Sequence, residues 1–325
     1  MKSLISVKSL SRFFISHIRE PGFKGAIKSL FSRKYLTKNA VSNVTFDVGE
    51  GEILGLIGAN GAGKTTLVKM LSGIIFPSSG SATILGFTPH ERKYPFRKQI
   101  ALVMGQKAQL WWDLPAEDCF LLLKDIYGIE DSQFQESLEE LVTMLEVKSL
   151  LGVQVRRLSL GERMKMEIIA SLLHRPKVIF LDEPTIGLDI TSQRSLRRFL
   201  REYQQKYKPA IILTSHYMED IEQLCERVVI MREGAVVYDG QLKALTQRFS
   251  PRKTVRGAIK EGTVSPSTIK QLGMELSKDG VFEFKTSSHD TSEALRLLLS
   301  EVVLTDITIE EEDISLLIER VMRGE

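Results

Sequence analysis

Residues 58–66 read Gly58-Ala59-Asn60-Gly61-Ala62-Gly63-Lys64-Thr65-Thr66, directly after the apolar run Ile53-Leu54-Gly55-Leu56-Ile57. That run has the length and composition of a buried strand, and Thr66-Leu67-Val68-Lys69-Met70-Leu71 carries a helical pattern. Glycines let the loop between them wind so closely that successive backbone N–H groups point inward. The helix that opens near Lys64 turns its positive dipole end to the same spot. Strand, glycine loop and helix N-terminus in this order make a polyphosphate cradle. Lys64 is placed to reach the β- and γ-phosphates, and the Thr65 hydroxyl to complete a magnesium shell of phosphate oxygens and water.

Val178-Ile179-Phe180-Leu181 is a second continuous apolar run, of the kind covered on both faces of a parallel sheet, and it ends in Asp182-Glu183-Pro184. In such a sheet ligands gather beyond the carboxyl ends of the strands, which puts both carboxylates beside the phosphate loop. There Asp182 can hold magnesium through water, and Glu183 can orient and deprotonate the water that attacks the γ-phosphate. Alone, the same residues also fit a solvated strand end before a turn. Leu158-Ser159-Leu160-Gly161-Glu162 precedes a helical pattern from Met164 to Leu173 and offers a hydroxyl, backbone amides and a helix N-terminus. Because the first loop already cradles one nucleotide, this second anion site fits a nucleotide held by another copy. The segment equally fits a capping box, with Ser159 capping and Glu162 three residues on.

The chain has 325 residues, enough for one large domain and a smaller one. Its 44 basic and 41 acidic residues leave a formal charge of +3, which selects no polyanionic partner at the level of the whole chain. Cys119 and Cys225 lie far apart, without His companions at metal spacing, and read as small core residues. No stretch approaches the length of an uncharged membrane span, and the N-terminus lacks a signal-peptide core. The expected location is cytoplasmic.

With these elements in this order, residues 3–240 resemble the nucleotide-binding subunit of an ABC transporter. The loop Gly58–Thr66 matches Walker A, Val178–Glu183 matches Walker B with its catalytic glutamate, and Leu158–Glu162 occupies the signature position. Gln106, after Ala101-Leu102-Val103-Met104-Gly105, matches the Q-loop glutamine that approaches magnesium and the γ-phosphate. Gly187-Leu188-Asp189 matches the D-loop, and His216, after Ile211-Ile212-Leu213-Thr214-Ser215, the switch histidine. The resemblance implies an α/β fold of the P-loop NTPase class: a RecA-like parallel-sheet core with a helical subdomain at about 107–173. It implies catalytic roles for Glu183, His216, Lys64 and Gln106, and metal contacts from Thr65, Gln106 and Asp182. Nucleotide contacts come from Gly58, Asn60, Gly61, Ala62, Gly63, Lys64, Thr65 and Thr66, and, across a dimer, from Ser159, Gly161 and Asp189. The family stacks adenine on an aromatic ring ahead of the second strand, for which Tyr35 is the first choice and Phe31 the second. One departure stands out: the signature has Leu160-Gly161 and Glu162 where the family usually has two glycines and a glutamine. The added carboxylate repels a polyanionic nucleotide.

The implied protein is an ATPase that uses ATP and Mg2+, pairs with a second nucleotide-binding subunit as a homodimer, and drives integral-membrane permease subunits from the inner face of the cell membrane. No nucleic-acid partner is expected. The stretches Leu188-Asp189-Ile190 and Leu114-Pro115-Ala116-Glu117 resemble ABC-2 exporters in particular. A non-transport ABC ATPase or a regulatory ATP-binding module is the alternative. Trp111-Trp112 in the loop after Gln106 offers either an aromatic anchor for a permease helix or packing on both sides of the loop.

Near the N-terminus, after a first strand at about Leu4–Leu10, Phe23, Ile27, Leu30 and Phe31 fall on one face of a possible helix. Arg19, Lys24, Lys28, Arg33, Lys34 and Lys38 make the other face basic, which suits anionic headgroups, an acidic partner or plain solvent. The nucleotide-binding domain is expected to cover 1–245, followed by a linker at 246–253 and a small α+β accessory domain at 254–325. In that last domain, strands are expected at Thr254–Ile259, Val281–Phe284 and Leu304–Ile309, and helices at Ser292–Val302 and Ile314–Met322.

Overall fold

The computed structural model describes residues 3–17, 35–105, 107–249, 252–277, 279–287, 290–311 and 314–323. Contacts divide the chain into two units, 1–239 and 240–325.

The first unit is built on a six-stranded sheet in the order β5-β6-β7-β3-β8-β9. Its strands are β3 (Ile53–Gly58), β5 (Ile100–Met104), β6 (Val178–Asp182), β7 (Ala210–Thr214), β8 (Arg227–Arg232) and β9 (Ala235–Gln241). From β5 to β8 every pairing is parallel. Strands β6 and β7 are buried along their whole length, as their unbroken apolar runs require when helices cover both faces. Parallel pairing brings the carboxyl ends of β3, β6 and β7 to one edge; Asp182 and Thr214 are register partners there.

A three-stranded antiparallel sheet, β2-β1-β4, packs into the same core, with β1 at Ser3–His17, β2 at Tyr35–Gly49 and β4 at Ser79–Ile84. Strand β1 does not stop near Leu10. It runs on to His17, and β2 begins at Tyr35, so the two make a long ribbon whose outer part carries the exposed Phe13, Phe14 and Ile15. Apolar alternation marks a strand in sequence only where one face is buried, and the ribbon beyond Leu10 carries exposed residues. The expected helix around Phe23–Phe31, with Phe31 itself, lies outside the described residues.

Helices at Ala116–Tyr127, Asp131–Leu145 and Leu160–Leu172 form the helical part of this unit. The first two carry acidic residues in their first turns, Glu117 and Asp118 in one and Asp131 in the other, where they face the positive end of the helix dipole. Each ends on a left-handed residue, Gly128 and Glu146. Phe120, Phe134, Leu141, Met164 and Ile168 are buried. Cys119 and Cys225 are both free thiols in the core.

The second unit opens with a helix at Leu242–Phe249, so the division falls before the expected boundary at 245, and much of the expected linker is regular structure. Leu242 and Leu245 are buried, as are Leu317, Ile318 and Val321 of the C-terminal helix Ile314–Arg323 against which it packs. Between these helices lies a β-α-β-β-α-β unit with sheet order β11-β12-β10-β13: β10 (Arg252–Gly262), β11 (Glu275–Leu276), β12 (Val281–Ser287) and β13 (Val302–Glu311). This is the ferredoxin-like split βαβ arrangement. Its core is Val255, Phe282 and Phe284 under Ala294 and Leu298 of the helix Thr291–Leu299. The polar face is tied by Arg256, which pairs with Glu283 at 2.8 Å and Glu310 at 3.1 Å. Helix Pro266–Leu272 and the two-residue β11 are absent from the sequence-based expectation, because elements this short carry too few residues to define a period.

Candidate functional site: a phosphate loop beside two strand-end carboxylates

Gly63 has φ 103° and a Cβ there would sit 2.1 Å from Ala40 O, so both the turn and the approach of β2 demand glycine. At Gly58 a Cβ would meet Met231 O of β8 at 2.5 Å. The helix Lys64–Leu71 starts at once after the loop, and among the described residues no side chain caps its N-terminus, which leaves its first N–H groups to the loop's concave side. A cleft of about 230 Å³ opens over this loop, lined by Phe14, Lys38, Ala40, residues 60–66 and Glu183.

Lys64 is almost fully buried, and its ammonium bonds Gly58 O at 2.6 Å and Ala59 O at 3.3 Å. Burial lowers its pKa; the carboxylates of Glu183 and Asp182 act against that. Asp182 Oδ1 accepts from the hydroxyls of Thr214 at 2.7 Å and Thr65 at 3.3 Å. The next residue, Glu183, has a left-handed backbone at φ 56°, held by its N–H, which donates to Thr214 O at 3.1 Å and Thr214 Oγ1 at 3.0 Å. Glu183 lines the cleft, and its Oε1 lies 2.8 Å from Nε2 of His216, which is not among the lining residues. The donor set fits magnesium, a hard cation that takes one carboxylate and one hydroxyl beside phosphate oxygens and water; Thr65 and Asp182 already meet through one hydrogen bond. Gln106 lies outside the described residues.

Ser159, Gly161 and Asp189 are not among the residues lining this cleft. Ser159 and Glu162 form a full capping box: Glu162 N–H donates to Ser159 Oγ at 3.3 Å, and Ser159 N–H to Glu162 Oε2 at 2.9 Å. The bonds from Ser159 hold the Glu162 carboxyl below its usual pKa. Asp189 caps the helix Ile190–Tyr207 through Ser192 N–H at 2.9 Å, and Gly161 passes so close that a Cβ would touch Ser192 Oγ at 2.4 Å.

Four further residues belong to the site's surroundings. Phe14 lines the cleft with the Arg12 guanidinium 4.6 Å from its ring centre, whereas Tyr35 stands three residue pairs farther along the ribbon, opposite His17. Lys38, read from sequence as part of a basic helix face, is in β2 opposite Phe14 and lines the cleft. Thr214 was legible only as the residue before Ser215-His216, since its role depends on register with Asp182. Glu167, buried on the helix Leu160–Leu172, accepts the backbone N–H of Gln109 at 2.8 Å and Leu110 at 3.2 Å, and burial raises its pKa. It anchors the loop that presents Trp111 and Trp112, which are 44% and 51% exposed rather than packed on both sides. Leu122 and Ile126 on the following helix are exposed as well.

A parallel sheet whose strand β3 feeds a phosphate loop, with acidic and hydroxyl side chains at neighbouring strand ends, defines a P-loop NTPase. The ABC transporter family model matches residues 41–186. The chain is 32% identical over 215 residues to the ABC transporter ATP-binding protein NatA of Bacillus subtilis, an overlap that covers 66% of this chain and 87% of that one. A solved ATP-binding subunit of an ABC transporter is 27% identical with a TM-score of 0.63, over 76% of this chain and 93% of the other. The ATP-binding cassette MJ0796, solved as a dimer in a post-hydrolysis state with ADP and Pi, shares the fold at 19% identity and a TM-score of 0.60, over 73% of this chain and 98% of the cassette. The chain belongs to the ABC transporter ATP-binding proteins and is an ABC-type ATPase. Among the described residues no helix is long and apolar enough to cross a membrane.

Proposed function

We propose that this chain hydrolyses ATP between two copies of itself and couples that cycle to separate membrane subunits. The observation that carries the proposal is the Glu183–His216 contact at 2.8 Å, made by a carboxylate that lines the phosphate-loop cleft. In this reading the loop amides from Gly58 to Thr66 and the Lys64 ammonium bind the β- and γ-phosphates, and Glu183 takes the proton of the attacking water while His216 steadies Glu183 and the γ-phosphate. Thr65, Asp182 and Gln106 hold magnesium, which neutralises phosphate charge when bound. Phe14 takes the base-stacking role, because among the residues whose side chains are described it is the aromatic one that lines the cleft. Ser159, Gly161 and Asp189 do not line this cleft and are engaged in helix capping or packing, which is compatible with their serving the nucleotide of the second copy, as is the dimeric state of the related cassette.

The exposed Trp111, Trp112, Leu122 and Ile126 suit an apolar helix of a permease, and the ABC-2-like stretches favour export. That partner puts the subunit on the cytoplasmic face of the membrane. The first unit acts as the nucleotide-binding domain, with 107–173 as its helical subdomain, and the second unit with its split βαβ fold regulates or steadies the dimer. Light scattering on size-separated Glu183→Gln, with and without ATP and magnesium, tests the shared site. A monomer that becomes a dimer with ATP supports it; a monomer that binds ATP and stays single overturns it.

A further inference from the structure

Behind the rim of the cleft lies a buried polar cluster that the nucleotide motifs do not account for. Asp220 and Arg197 are 1% and 2% exposed, and Asp220 Oδ1 accepts from Arg197 Nη1 at 2.8 Å. Asp220 Oδ2 accepts two hydroxyls, from Ser215 at 2.6 Å and Thr185 at 2.5 Å. Ser215 immediately precedes His216, and its Oγ also accepts the N–H of Tyr217 at 3.0 Å, so the residues on both sides of His216 are tied to one carboxylate. Thr185 lies two residues after Glu183, at the end of the turn that gives Glu183 its left-handed backbone. One buried carboxylate therefore grips both loops whose side chains meet at 2.8 Å.

A buried ion pair of this kind adds little net stability over an apolar pair, because desolvation offsets the attraction. Its consequence is geometric: the charge on Asp220 fixes the direction of both hydroxyl protons, and Arg197, from the middle of the helix Ile190–Tyr207, fixes Asp220. We propose that Asp220, held by Arg197, is a positioning residue that sets the His216–Glu183 contact through Ser215 and Thr185, and so governs turnover without touching nucleotide. The proposal rests on the reading of His216 and Glu183 given above.

The test is steady-state ATP hydrolysis, with ATP affinity and melting temperature, for Ser215→Ala, Ser215→Thr, His216→Ala and the double variant Ser215→Ala/His216→Ala. Ser215→Ala keeps the Asp220–Arg197 pair and removes one hydroxyl. It is expected to lower kcat about tenfold, the scale on which small misplacements act, with KM and melting temperature unchanged. Ser215→Thr restores the hydroxyl and the rate, and Ser215→Ala costs nothing further once His216 is absent. Thr185→Ala gives the same kcat loss from the other loop. Wild-type kcat in Ser215→Ala, or an equal further loss in the His216→Ala background, overturns the positioning role while leaving the site reading intact. Wild-type kcat in His216→Ala overturns the site reading and the clamp together.

Discussion

The phosphate-loop edge and the signature end are both built from helix N-termini, glycines and hydroxyls, yet a single copy of the chain prepares them differently. At the loop, the helix Lys64–Leu71 begins without a side-chain cap, and its amides face a cleft. At the signature, Ser159 is engaged by Glu162 on both its N–H and its hydroxyl, and Asp189 is engaged by Ser192. The first is ready for an anion as it stands. The second must exchange internal hydrogen bonds, and tolerate the Glu162 charge, before it takes one. In the proposed dimer, this difference gives initial ATP capture to the loop and makes closure of the second copy the step that the signature controls.

Removing Glu183, the carboxylate proposed to activate water, has the largest expected effect. Glu183→Gln lowers phosphate release by about 10²–10⁴-fold while ATP affinity stays near wild type, because the loop binds without it. Parallel losses in affinity and turnover would blur the distinction between capture and chemistry.

The seam between the helical part and the core sheet comes next. His174 stacks on Tyr127 at 4.1 Å and its Nε2–H donates to Ile100 O of β5 at 3.0 Å. Burial pushes its pKa down to about 4 from the ordinary 6.5. The unfolded chain takes up this proton below pH 6.5 and the native one only near pH 4, so stability is complete above 6.5 and falls with pH across that window. The full loss is about 3 kcal/mol, and His174→Phe flattens that slope in urea melts followed against pH. A slope that survives the substitution would show that another group ties the two parts.

Stacking on the ribbon is worth less. Phe14→Ala is expected to weaken ATP binding by roughly 1–3 kcal/mol, measured by titration calorimetry, with Tyr35→Ala unchanged. The opposite ranking would move the base toward the tip of the ribbon.

The smallest effect probes the signature itself. Glu162→Gln retains a side chain able to accept from Ser159 and removes one negative charge from the signature, which in the proposed dimer meets the second copy's nucleotide. In the Glu183→Gln background it tightens the ATP-dependent dimer by about 1 kcal/mol, the scale of an exposed charge, read from sedimentation as a shift in dimer dissociation constant. A weaker dimer would mean that the capping carboxylate organises the signature more than it repels ATP.

What was legible in the chain follows from how local each signal is. Strands β6 and β7 are marked by unbroken apolar runs, and the loop at 58–66 by its glycines, because neighbours along the chain define them. Lys38 was placed on a helix face and Phe14 was not singled out, for the converse reason. Their place at the cleft depends on a ribbon register in which Phe14 faces Lys38, and no periodicity survives where that ribbon is exposed. Helix Pro266–Leu272 and β11 were too short to register as patterns, though Ser265 does cap that helix.

By itself the sequence determined the order of strand, phosphate loop and helix, the identity of the strand-end carboxylates and the division into a large and a small unit. These are properties of contiguous residues, set by glycine's backbone freedom and by the burial of apolar runs. Only the tertiary structure decided that Thr214 would meet Asp182, that Glu183 would turn back to His216, and that Asp220 would hold the loops behind them. Those contacts join β6, β7 and two helices distant along the chain, and parallel register and buried charge pairing, which no local pattern encodes, bring them together.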